Sequence, residues 1–115
     1  MRKVLFFLFI FPIAVSFATP PVSIDLSYDK AKGILYVEAM HPSFNLDKSY
    51  VRLMDVYVNG QEVSTFNYYR QKEYDRFTDD VPLTVQAGDL IKVHLFCSLG
   101  GEMAKELKIA KPEKE

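Results

Sequence analysis

Three side chains in the 115-residue sequence could hold a metal ion or move a proton: Cys97, the only cysteine, and the histidines His41 and His94. A thiolate is a soft ligand and a nucleophile, and imidazole is the commonest metal ligand. Cys97 closes the apolar run Leu90 to Cys97, which a tight turn at Ala87-Gly88-Asp89 precedes and Gly100-Gly101 breaks. His94 lies three residues before Cys97, whereas side chains of one strand share a face only at even spacings. Without a bulge the two cannot bind one ion. His94 is therefore expected as a solvated or cross-strand histidine. His41 is better placed as a ligand, in a loop just after an apolar strand and before the rigid Pro42.

Other chemistries find no support. Neither Gly-x-Ser-x-Gly nor His-Glu-x-x-His occurs, Asp79-Asp80 would diverge on an extended chain, and no glycine-rich phosphate loop follows a strand and opens a helix. Phe96 and Leu99, packed beside Cys97, would raise its pKa rather than lower it. A hydrolase is not indicated.

The elements that must position these residues are strands. Val22, Ile24, Leu26 and Tyr28 alternate with polar residues, Asp29 to Gly33 makes a turn, and Ile34 to Met40 returns as the second arm of a hairpin. His41-Pro42 ends that strand and Ser43 to Lys48 crosses over. Tyr50 to Val58 and Gln61 to Tyr68 flank Asn59-Gly60, the strongest short-range hairpin signal, because a type I′ turn needs two positive φ values in succession. Tyr69 to Asp80 reads as a charged, aromatic crossover pinned by Tyr74 and Phe77. Val81 to Val85 reads as a short strand in which Pro82 marks an edge or a strand start. Leu90 to Cys97 is the longest apolar strand, Met103 to Ile109 suits a strand or a helical turn, and Lys111 to Glu115 is a solvated tail. Six or seven short strands separated by turn chemistry make an all-β sandwich.

Arg2 and Lys3, the apolar run Val4 to Val15, and Ser16-Phe17-Ala18 have the layout of a signal peptide cleaved after Ala18. The run is too short for a membrane span, which needs roughly 20 residues. Cleavage leaves 97 residues with 12 cations against 15 anions, a formal charge of −3. Such a domain has one core, and its mild negative charge without a basic face excludes nucleic acid and anionic lipid as partners. The expected location is periplasmic or secreted, with no membrane contact after cleavage and a thiol that has no mate in its own chain.

Read in order, His41-Pro42, Ser49-Tyr50-Val51, Asn59-Gly60, Gly88-Asp89-Leu90-Ile91-Lys92-Val93 and Cys97-Ser98-Leu99-Gly100-Gly101 resemble the superoxide reductase, or desulfoferrodoxin, iron-binding domain. The resemblance covers nearly all of residues 19–110. It implies an immunoglobulin-like antiparallel β-sandwich of about seven strands, whose ferrous centre takes four equatorial histidines and one axial cysteine. The sulfur-carrier subunits of thiosulfate oxidation share that sandwich and a comparable His-Pro and Gly-Asp pattern. By position, His41 matches one family histidine and Cys97 the axial thiolate, while the other histidine positions fall on Ser49, on Gly100 and near Thr19.

One imidazole of four would leave most of an iron's coordination to water. The expectation is therefore no bound cofactor and no reductase activity. The chain would act as an interaction module that takes a protein or peptide partner through loops or a sheet edge, with Tyr68, Tyr69 and Tyr74 as contacts. The alternative is a residual iron or copper site on His41 and Cys97, aided by Met40, Met54 or Met103, doing redox or metal-handling work. Cu(I) tolerates so few ligands.

Overall fold

Period-two alternation along the chain becomes seven strands in the computed structural model, which describes residues 21–111. The leader assigned to residues 1–18, the position Thr19 and the end of the charged tail lie outside the described residues. Strands β1 (Ser23–Asp29), β2 (Ile34–Met40) and β5 (Arg76–Pro82) form one sheet in the order β1-β2-β5. Strands β3 (Val51–Val58), β4 (Gln61–Asn67), β6 (Leu90–Cys97) and β7 (Glu102–Lys108) form the other in the order β4-β3-β6-β7. All neighbours are antiparallel. This is the expected immunoglobulin-like sandwich, with β4 beside β3 in the larger sheet.

The core fills the space between the sheets. Leu35, Val37 and Ala39 of β2 face Val51, Met54 and Val56 of β3 and Ile91, Val93, Leu95 and Cys97 of β6, all buried. Each such side chain contributes about 1.5–3 kcal/mol when fully withdrawn from water, alanine less. Val51 and Met54 are an odd number apart yet both point inward, because the register against β6 slips between Val51 and Leu53. A bulge at Arg52 supplies the extra residue.

Two expectations need correction or completion. The fifth strand starts at Arg76 and ends at Pro82, rather than spanning Val81 to Val85. Phe77, Asp79 and Val81 pair with the buried Ala39, Val37 and Leu35, so Asp79 interrupts the apolar parity. Its carboxylate is satisfied by the Tyr68 hydroxyl, which donates to it at 2.5 Å, while the Tyr68 ring packs edge-on against Phe77 at 4.9 Å. Burial first and the Asp79 hydrogen bond second hold the Tyr68 phenol well above its usual range. Pro82 ends an edge strand, where a missing N–H costs no ladder bond. Residues 102–108 form a strand throughout, its parity blurred by the edge-exposed Lys105 between Met103 and Leu107.

The Asn59-Gly60 hairpin forms as read, with φ of 53° and 84°. It is also a clasp. The Asn59 N–H donates to the Leu90 carbonyl at 2.8 Å, the Leu90 N–H to Asn59 Oδ1 at 3.0 Å, and Asn59 Nδ2 to Asp89 Oδ1 at 3.1 Å. Asn59→Ala is expected to cost about 1–3 kcal/mol, because alanine lacks both the amide and the tolerance for positive φ. A lower urea midpoint at unchanged slope would report it.

Candidate functional site

Strand register decides which loops meet. Met40 ends β2 opposite Arg76 at the start of β5, Val51 starts β3 opposite Cys97 at the end of β6, and Leu53 lies opposite Asn67 at the end of β4. The loops 41–50, 68–75 and 98–101 therefore leave the sandwich at one end. His41, Ser49, Cys97 and Gly100 all belong to that end.

Cys97 is 2 % exposed and belongs to the core. Its N–H donates to the Gly101 carbonyl at 3.0 Å, and its carbonyl accepts from the Gly100 N–H at 3.1 Å. Gly100 and Gly101 make this turn with φ of 98° and 94°, a conformation that favours glycine. Burial pushes the Cys97 thiol up to about 11, the Arg52 guanidinium opposing it weakly. Near neutral pH it is a small, uncharged hydrophobe.

His41 is fully buried, with Nδ1 2.8 Å from Gln71 Oε1. Gln71 Nε2 donates to the His41 carbonyl at 2.9 Å and to the Glu73 carbonyl at 2.8 Å. Both amide hydrogens are thus spent on acceptors. Oε1 must be the atom that faces the ring, and His41 Nδ1 carries the proton.

Backbone bonds extend the join: Gln71 N–H to Leu46 O at 3.0 Å, His41 N–H to Asp75 O at 3.1 Å, and Ser43 N–H to Tyr74 O at 2.7 Å. Ser43 Oγ donates to the Ser49 carbonyl at 2.6 Å. The buried polar side chains among the described residues, His41, Ser43, Ser49 and Gln71, all lie in this join between loops 41–50 and 68–75. Sequence reasoning missed Gln71, since nothing in Arg70-Gln71-Lys72-Glu73 separates the buried member from its solvated neighbours.

His94 behaves as expected. It sits on the outer face of β6, opposite to Cys97, stacked on Phe96 at 4.3 Å with Nε2 2.5 Å from Glu102 Oε1. Among the described residues no three His, Cys, Asp or Glu side chains converge. The donors at the loop end are one imidazole, with Nδ1 held by Gln71, and one buried thiol. Ser49 offers a hydroxyl and Gly100 no side chain. This set does not fit a five-coordinate ferrous centre.

Among exposed charged residues, the loop end also presents large apolar side chains. Phe44 is 72 % exposed, Tyr69 81 % and Tyr74 65 %, and Val22, Met40 and Leu99 are exposed at the same end. Val22 N–H donates to the Met40 carbonyl at 2.7 Å, and the Ser43 N–H bond to the Tyr74 carbonyl ties the backbones of loops 41–50 and 68–75 together there. Val63, on β4, is the exposed large hydrophobe placed elsewhere among the described residues. Tyr68, expected among the contacts, is instead half-buried against Phe77 and Asp79. Comparisons with protein-family models, curated proteins and solved structures find no match.

Gln71→Ala removes a buried amide and strands the His41 Nδ1–H and two carbonyls. It is expected to cost about 2–4 kcal/mol, seen as a lower melting temperature. The folded state keeps the Cys97 proton up to about 11 while the unfolded chain releases it near 9.0, so unfolding sheds a proton between those values. The resulting stability is complete below 9.0 and is lost as pH rises toward about 11. Cys97→Ala should flatten that part of the stability profile, and a thiol reagent at pH 8 should react slowly with the folded protein and fully in urea.

Proposed function

We propose that this chain is an exported binding module, periplasmic or secreted, that engages a protein or peptide partner through its loop end. It resembles the superoxide reductase iron-binding domain in scaffold and lacks that domain's redox activity. The observation that carries the proposal is the gathering of Val22, Met40, Phe44, Tyr69, Tyr74 and Leu99 at one end of the sandwich. Soluble monomers rarely leave so many large apolar groups together in water, and interface cores are enriched in tyrosine, phenylalanine and methionine.

The buried join beneath them supports the same function. Loops already tied through His41 and Gln71 lose little conformational freedom when a partner docks, which lowers the cost of binding. His41 then serves as a structural hydrogen-bond donor and Cys97 as a core residue. Metal handling by His41 and Cys97 is the competing assignment, and one preparation tests both. A photo-crosslinking side chain at Tyr69 or Tyr74 of the full chain, expressed in its host, is expected to capture polypeptide. The same group at Val63 should capture none. Absence of adducts at both loop positions, or stoichiometric iron or copper that is lost in Cys97→Ala, would overturn the proposal.

A further inference from the structure

Building on the loop-end proposal, we infer that the partner is a second copy of this chain, docked end to end about a twofold axis. A twofold contact brings one patch against itself, so a patch of a single charge sign would repel its own copy. Loops 41–50 and 68–75 carry Asp47, Glu73 and Asp75 against Lys48, Arg70 and Lys72, which balance. The charges are also largely paired within the chain: Arg70 lies 2.9 Å from Asp47, and Arg76 lies 3.1 Å from Glu38, 3.0 Å from Asp75 and 3.5 Å from Glu73. With the charges of these loops balanced and four of the six in ion pairs within the chain, this end can meet a copy of itself without net repulsion.

Area agrees with this. An aromatic side chain offers about 150–250 Å², so the exposed fractions of Phe44, Tyr69 and Tyr74 present roughly 330–550 Å². Val22, Met40 and Leu99 bring the total toward the ~800 Å² per partner of a standard interface. Such an area fits a folded protein surface better than a small ligand.

The sheet edges offer the copies no easier contact. The bulge beside Val63 interrupts β4, Pro82 and the Asp79-Asp80 pair mark β5, Lys105 and Lys108 lie on β7, and Asp25 and Asp29 on β1. These are the features that discourage strand addition between molecules.

Sedimentation of the exported chain, processed by its own leader and kept in reducing buffer, tests the inference over roughly 1–500 µM, where a modest interface dissociates. A monomer–dimer equilibrium is expected. Phe44→Ser with Tyr74→Ser should weaken it at least about tenfold, and Tyr69→Ser alone should weaken it measurably, since exposed sites tolerate substitution without loss of fold. Val63→Ser should leave it unchanged, and circular dichroism should be the same for all variants. A monomer at every concentration, or a dimer indifferent to the loop variants, would overturn the inference. If crosslinks at Tyr69 and Tyr74 join a different polypeptide while the chain stays monomeric, the second copy is wrong and the loop-end surface stands. If nothing is captured, both fail.

Discussion

A primary amide enclosed between two loops must have its donors and its acceptor met, or the loops will not close over it. Gln71 meets that requirement with one aromatic nitrogen and two backbone carbonyls, and in doing so it ties residues 41–50 to residues 68–75. Each loop alone is a polar segment of the kind that usually stays mobile on a surface. Joined, they become a floor. The exposed rings of Phe44, Tyr69 and Tyr74 stand on that floor, so their presentation depends on a buried hydrogen-bond network.

The same network sets the surroundings of His41. An imidazole can serve a metal through one nitrogen only when the other is oriented by a neighbour. In this chain Gln71 provides such an orienting contact to His41 Nδ1, while at the same end Ser49 carries a hydroxyl and Gly100 a bare backbone. Neither can replace an imidazole around ferrous iron. A small residue at each of these positions is what a close join of loops requires: Ser49 is fully buried, and Gly100 has a φ that β-carbon-bearing residues rarely adopt.

Most of the fold was legible because the strands obey a period of two and the turns carry their own chemistry. Asn59-Gly60 announced its hairpin and Gly33 its positive φ, and the three-residue spacing from His94 to Cys97 put those side chains on opposite faces. The failures came where a residue answers to a distant partner. Asp79 looks like part of a solvated run until Tyr68, from the other sheet, donates to it. Lys105 stands on the inward parity of β7, where an edge position lets it reach water. Gln71 has no local signature, since its burial is decided by a histidine 30 residues away. His41, Ser49, Cys97 and Gly100 lie at one end of the sandwich because the strand register puts them there. Their chemical role could not be read from position, because it depends on Gln71.

The bulge at Arg52 links the core to that neighbourhood. Without the extra residue, Val51 and Met54 could not both face inward, and the start of β3 would not bring Val51 opposite Cys97. The bulge also frees the Arg52 side chain, whose guanidinium lies over the Phe96 ring at 5.7 Å and exerts a weak pull on the thiol. Burial outweighs that pull, so the cysteine remains protonated and packs like a small aliphatic group. Here the facing rows of β2, β3 and β6 bury a continuous apolar core that holds the two sheets together. A fold held from its middle leaves its loop end free to present aromatic rings.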